Sequence, residues 1–413
     1  MPLNRRQLLG LSPGLLLPRR ALADVNERKF LFVFCTGGWD QCYLFAPLYD
    51  NSNIDMEPQS TVAELSGITF VDSAEKTNVR SFFQRYGNIT CMINGFEARS
   101  VAHDICLRLI STGSSLPAHD DWPSIIAAHS QADPLMPFVN LSGPLFTHNF
   151  GSSVVRIGSA GQFAELLDGR GIQSDFPAAL PSESVEHLED AWVRDLSFQR
   201  LDQAREGREQ LLIDAGLKAD ERLMRLRNEN LSLTPDGFNH LASSLSLATD
   251  LLAAGASRSV MISYNGVQDL GWDTHAGSFL QAIHFNELFH ELENTIQVMH
   301  NRNGTSGNPL IDEVTVVVLS EMGRFPQENA RGGKEHWTYT SALLMGSGIR
   351  GGQTLGGYDE YCFGRPIDLN SGEPYNGGTP LLPGHLGATL LSLADIDYGE
   401  FIHDASPINA ALR

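Results

Sequence analysis

Four short stretches of this chain are nearly unbroken apolar runs, and each stops at a polar or glycine-containing turn. Residues 29–35 (KFLFVFC) end at Thr36-Gly37-Gly38, and residues 88–93 (NITCMI) end at Asn94-Gly95. Residues 258–264 (RSVMISY) end at Asn265-Gly266, and residues 314–320 (VTVVVLS) run into Glu321. A run of this length without polar alternation predicts a strand covered on both faces, as in a mostly parallel sheet flanked by helices. Helical spacing lies between the runs, over residues 238–254, 278–300 and 381–394. In the second of these, Ile283, Leu288, Phe289, Leu292 and Ile296 mark the buried side. The pattern predicts an α/β fold in which residues 29–35 and 314–320 are neighbouring strands. In such sheets chemistry gathers outside the carboxyl ends of the strands. Residues 183–232 differ: they are highly charged and helical in pattern, and read as a helical insertion or cap over the sheet or as an exposed helical pair on its flank.

Length and charge narrow this further. The 413 residues can bury one large core or two ordinary ones. Lys plus Arg is 29 against 49 Asp plus Glu, a net charge of −20, which argues against a nucleic-acid partner. Cys35, Cys42, Cys91, Cys106 and Cys362 are few and odd in number, with no C-x-x-C pair, so neither a disulfide scaffold nor a cysteine zinc knuckle is expected.

At the start of the chain, Arg5-Arg6 precede an apolar run from Leu8 to Leu17, and Ala21-Leu22-Ala23 has small residues at the spacing of a cleavage site. Paired arginines followed by Gln7-Leu8-Leu9 resemble a twin-arginine export signal. The expectation is an exported protein, periplasmic or extracellular, with signal 1–23, mature domain 24–413 and no membrane span in the mature chain. Removing residues 1–23 takes away four arginines and no acids, so the mature charge becomes 25 − 49 = −24.

Polar clusters sit where the strands end. Asp40 follows Gly37-Gly38-Trp39 and is a hard oxygen ligand or a helix cap. Asp273 and His275 stand two apart in GWDTHAG, a carboxylate–imidazole combination suited to zinc or manganese, and His284 follows as a further ligand or a supporting group. Glu321 leaves a buried strand, where an unpaired carboxylate is expensive; a metal or Arg324 would compensate it. His336 lies in a glycine-rich loop. Arg99-Ser100 precede His103-Asp104; the serine is either a cap or an oxyanion-stabilising position at a helix start, with Arg99 as a positive fork. No phosphate loop, His-Glu-x-x-His helix or Gly-x-Ser-x-Gly elbow is present.

These pieces in order resemble the bacterial DUF1501 family of the alkaline-phosphatase-like superfamily, distantly related to sulfatases and phosphomutases. The resemblance rests on FVFCTGGWDQ, GWDTHAG followed by His284, VVVLSEMGRFPQENARGGKEHW and ALLMGSGIRGGQTLGG. It implies an alkaline-phosphatase-like fold and a site of one or two divalent cations, with zinc, manganese, magnesium and calcium undistinguished. It also implies Asp40 and Glu321 on one metal, Asp273, His275 and His336 on another, and Ser100 as nucleophile with Arg99 beside it. Met322 follows Glu321 where the phosphatases carry a histidine, which weakens the second metal. Ser100 begins Ser-Val-Ala-His-Asp, which does not fit the sulfatase formylglycine pattern.

The leading expectation is a metal-dependent hydrolase of a phosphate or sulfate ester, acting on a small anionic ester or an envelope polymer, with Ser100, Arg99 and Arg324 as catalytic groups. The alternative is a non-catalytic exported protein that keeps the fold for envelope assembly or polymer handling. A redox enzyme is a third class, without a cofactor motif to support it.

Overall fold

All seven residues of β1 (Lys29–Cys35) are buried, and their side chains alternate between two separate apolar layers. The computed structural model describes residues 27–158, 183–204, 207–228 and 241–413. The export stretch 1–23, positions 205–206 and 229–232 of the charged segment, and 238–240 of the helical run 238–254 lie outside the described residues. After β1 come the side hairpin β2 (Thr61–Leu65) and β3 (Ile68–Asp72), α1 (Thr77–Tyr86), β4 (Thr90–Glu97), α2 (His103–Thr112) and α3 (Trp122–Ala128). Then follow β5 (Phe138–Leu141), β6 (Val154–Ile157), α4 (Glu183–Gln203), α5 (Arg208–Asn228), α6 (Leu241–Ala253), β7 (Ser259–Tyr264) and α7 (Leu280–Asn301). The chain closes with β8 (Val314–Leu319), β9 (Gly323–Glu328), β10 (Lys334–Trp337), β11 (Tyr339–Gly346), β12 (Gln353–Gly356) and α8 (Pro383–Leu393).

The main sheet has eight strands in the order β12-β4-β11-β8-β1-β7-β5-β6. Every strand is parallel to its neighbours except β11, which runs antiparallel to both β4 and β8. The expected pairing holds: Lys29 lies opposite Val314 and Phe34 opposite Leu319, in parallel. Leu31, Val33 and Cys35 face α1, α6 and α7 through Phe82, Leu251, Phe285, Leu288 and Phe289. Phe30, Phe32 and Phe34 face α3 and α8 through Trp122, Ile125, Ile126, Leu386 and Leu390. The fold is therefore mixed α/β, a mostly parallel sheet with helices on both faces. No helix among the described residues is long and apolar enough to cross a membrane.

The second apolar run differs in its bounds from the sequence reading. β4 does not stop at Asn94-Gly95 but continues to Glu97. Gly95, at φ 95°, is skipped in the ladder, since Thr340 faces Phe96 and Ser341 faces Asn94. It marks a bulge, for which glycine is suited. The charged segment forms two helices, α4 and α5, joined by the Arg194–Asp220 ion pair at 2.7 Å, and Arg222 of α5 reaches Asp133 at 3.0 Å.

At the amino end of the sheet Lys29 Nζ meets Glu313 Oε2 at 2.7 Å, and both side chains are almost without solvent access. Burial alone would raise the Glu313 carboxyl; hydrogen bonds from Lys29 and Ser306 outweigh it and hold the group at about 2. An unfolded glutamate titrates at about 4.3, so this pair stabilises the fold fully above that value and loses its effect as pH falls through about 2. Glu313→Gln should cost roughly 3 kcal/mol at neutral pH, because it leaves a buried ammonium unpaired. In urea melts that deficit should shrink between about pH 4 and pH 2; a deficit independent of pH would remove the electrostatic explanation.

Candidate metal centre

The topology places five chain segments at one edge. The carboxyl ends of β8, β1 and β7 are adjacent because the strands are. Antiparallel β11 starts at this same edge, so the β9–β10 hairpin that precedes it arrives here, carrying His336. Tyr339 pairs with Glu97, which brings the end of β4 and the start of α2 to the same place.

The loop after β7 is held by packing before it offers any ligand. Trp272 has no solvent access, and its Nε1 donates to the Tyr264 carbonyl at 3.1 Å. Asp273 and His275 then emerge on a tight turn closed by bonds from Thr274 N to Trp272 O and from His275 N to Asp273 O. Gly37 and Gly333 clasp this turn from two sides. A Cβ on Gly37 would lie 2.7 Å from Asp273 N, and one on Gly333 2.3 Å from the His275 carbonyl carbon.

Three acceptor-capable atoms converge here. His275 Nε2 and His336 Nε2 are 2.9 Å apart, and each is 3.1 Å from Asp273 Oδ1. The other ring nitrogens are engaged: His336 Nδ1 lies 2.7 Å from the Val101 carbonyl and His275 Nδ1 lies 2.8 Å from Glu335 Oε2. The His336 bond puts the proton on Nδ1 and leaves Nε2 with its lone pair toward the centre, and a carboxylate facing His275 Nδ1 favours the same tautomer there. Two lone pairs and a carboxylate oxygen facing one another fit a cation, and acceptors behind ligating histidines are a common support for one. Zinc or manganese suits this donor set by ligand type.

His103, the first residue of α2, completes the group. Its Nδ1 is 2.8 Å from Glu321 Oε1 and its Nε2 is 3.5 Å from Asp273 Oδ2. His103, Asp273 and His336 offer ligand atoms all within 4.8 Å of one another. Hydrogen bonding to Asp273 and then to Glu321 raises the His103 pKa to about 9 against the opposing effect of burial. Burial would raise the Asp273 carboxyl, but His103, Arg324 and His336 outweigh it and hold it far below the usual carboxylate range.

The sequence candidates separate into groups. Asp273, His275 and His336 meet at one point. Glu321 is fully buried and faces inward, accepting from Gly37 N at 2.8 Å and touching the centre through His103. Asp40 is not available as a ligand in this arrangement: Oδ1 caps the next turn by accepting from Cys42 N at 2.9 Å, and Oδ2 pairs with buried Lys334 at 2.9 Å. His284 is also committed elsewhere, because Nδ1 accepts from Val267 N and Nε2 bonds the Gly271 carbonyl, each at 3.0 Å. Arg324 has no solvent access. Its guanidinium is spent on the carbonyls of Gly37, Gly38 and Lys334 and on Asp273 Oδ1, so it braces the centre rather than facing a substrate. Arg99 is exposed and lies 3.9 Å from Glu97. Ser100 does not cap α2, whose cap position is Ala102; its Oγ accepts from Ala102 N at 3.2 Å, one residue before the Val101 that holds His336. His103 was the residue that spacing alone did not single out. Its signal is weak: it stands beside Asp104 in the Arg99-Ser100 cluster, and that pairing assigns it no ligand role.

A family model described as Protein of unknown function (DUF1501) matches residues 202–370, a stretch that holds Asp273, His275, Glu321, Arg324 and His336 but not Asp40, Ser100 or His103. No curated protein matches the chain. Among solved structures it is similar to Ps i-CgsB in complex with k-i-k-neocarrahexaose, at 7% identity over 92% of this chain and 75% of that one, with a TM-score of 0.41. It is similar to the lipoteichoic acid synthase LtaP from Listeria monocytogenes, at 9% identity over 93% and 76%, with a TM-score of 0.40. It is also similar to the PsFucS1 sulfatase from Pseudoalteromonas sp., at 7% identity over 94% and 74%, with a TM-score of 0.38.

Lys334 and Asp40 are buried as a pair, so Lys334→Met should leave a carboxylate stranded and cost about 3–5 kcal/mol in urea unfolding. Adding Asp40→Asn should recover most of that loss, because the double change removes both charges; a purely additive second loss would contradict the pairing.

Proposed function

We propose that this chain is a metal-dependent hydrolase of a phosphate or sulfate ester, exported to the bacterial envelope by the signal at residues 1–23, with residues 24–413 forming one alkaline-phosphatase-like domain. The observation that carries this reading is the convergence of His275 Nε2, His336 Nε2 and Asp273 Oδ1 with both distal ring nitrogens facing acceptors. Asp273, His275 and His336 would hold one divalent cation, with His103 as a further ligand or a charged neighbour. Bound there, such a cation neutralises ester oxygens and lowers the pKa of a hydroxyl or water beside it. His103, kept in place by Glu321, adds a hydrogen-bond donor on the same side. Ser100 is the candidate nucleophile: its Oγ would bond to phosphorus or sulfur as the alcohol departs, and water would then release the acid. Arg99 is free to swing from Glu97 toward a bound anion, which a fully buried Arg324 is not.

The burial of Lys334 against Asp40, and of Arg324 between the Gly37–Gly38 turn and Asp273, favours one cation over two. The same crowding supports the alternative, a non-catalytic envelope protein that keeps a single structural metal. The two readings divide on Ser100.

Protein purified without chelator should carry about one equivalent of divalent metal by elemental mass spectrometry, falling about tenfold or more in Asp273→Ala. No metal in wild type, even after reconstitution with zinc, manganese, magnesium and calcium, would sink the proposal. With metal present, hydrolysis of p-nitrophenyl phosphate or sulfate should drop about a hundredfold or more in Ser100→Ala; metal without turnover of either ester would move the chain to the non-catalytic reading.

A further inference from the structure

We infer that His284 is a positioning residue that clamps the loop delivering Asp273 to the cation centre; the inference rests on the metal-centre reading and concerns how that centre is held. The loop between β7 and Trp272 is an unfavourable piece of backbone. Gln268 and Asp269 both adopt left-handed conformations, at φ 53° and 57°, flanked by Gly266 and Gly271 at φ 79° each. Two consecutive non-glycine residues in that region persist only where the surroundings over-determine them. Internal bonds close the loop, from Gly271 N to Asn265 O at 2.7 Å and from Asp269 N to Gly266 O at 3.1 Å. Gln281 of α7 holds the turn beyond it, donating to the Trp272 carbonyl at 2.9 Å, while the two ends of the loop itself are bonded to α7 through one imidazole.

His284 is fully buried on α7. Its Nδ1 accepts from Val267 N at the start of the loop, and its Nε2 meets the Gly271 carbonyl at the end, both at 3.0 Å. One ring therefore spans both ends, and the bonds fix the tautomer with the proton on Nε2. The ring also packs on Trp272 with centroids 5.1 Å apart, and against Gly266, where an added Cβ would lie 2.7 Å from the ring. Trp272 is followed directly by Asp273. A displacement of the loop would therefore be passed through Trp272 to the carboxylate that both His275 and His336 face.

The clamp makes a prediction that simple core packing does not. An asparagine at 284 can place Oδ1 near the position of Nδ1 and keep the bond from Val267; alanine keeps neither bond. In metal-free protein, His284→Ala should speed amide hydrogen exchange about tenfold or more over residues 266–275, with peptides from β1 and β8 unchanged. Its zinc Kd, measured by competition with a chromophoric chelator, should rise about 10–100-fold. The cobalt-substituted protein should show an altered visible spectrum. His284→Asn should recover part of the affinity and of the exchange protection. If alanine does not fold, Gly266→Ala supplies the second variant, since its Cβ displaces the ring. Unchanged zinc affinity in a loosened loop, or unchanged exchange in the alanine variant, would overturn the clamp while wild-type zinc binding stands. A wild type that binds no zinc would instead overturn the metal-centre reading, and the clamp's purpose with it.

Discussion

A guanidinium without access to water must be surrounded by acceptors, and Arg324 is the charge on which this end of the molecule depends. Arginine stays protonated under any condition a folded protein meets, so the chain has to bring acceptors to it. It does so from three separate segments: the turn after β1 supplies the carbonyls of Gly37 and Gly38, the loop after β7 supplies Asp273, and β10 supplies the carbonyl of Lys334. Gln41 fixes the Arg324 backbone from both sides, accepting from its N–H and donating to its carbonyl. The two glycines follow from the same demand, since Cβ atoms at 37 or 38 would meet the Asp273 backbone or the Met322 side chain. Satisfying this one buried cation is thus among the constraints that fix Asp273, and with it the candidate metal centre.

Lys334 and Glu321 extend the same logic. Each is fully buried and each has a specific opposite partner, Asp40 for the first and His103 for the second. The edge of the sheet is thus a small lattice of alternating charges. On its outer side the ring nitrogens of His275 and His336 turn toward Asp273 Oδ1.

Much of the sheet was legible because continuous apolar runs mark buried parallel strands. Residues 29–35 form β1 with those bounds, and residues 258–264 and 314–320 differ from β7 and β8 by a single residue. β11 was not legible as a strand. Its sequence, YTSALLMG, mixes small, polar and apolar residues, and its antiparallel direction is a property of the sheet rather than of the segment. Without β11, spacing alone cannot place His336 beside Asp273, since that meeting depends on where an antiparallel strand begins; only the family resemblance grouped Asp273, His275 and His336. Asp273, His275 and His336 could be picked out by residue type. Asp40 and His284 look the same on that criterion, yet the structure spends the first on Lys334 and the second on two backbone groups. Which polar residue is free and which is consumed is decided by tertiary partners, such as Lys334 for Asp40, that no local spacing records.

The central strand is also the first to be synthesised. β1 lies between β7 and β8, and neither neighbour exists until the ribosome has made most of the chain. At typical elongation rates that interval is on the order of tens of seconds. During it, seven consecutive residues that end up wholly buried have no native partner to cover them. Such high-separation pairing is slow to form and exposes sticky surface meanwhile. The order in which the parts are made thus sets when β1 can be covered, since both of its neighbours come from the later part of the chain.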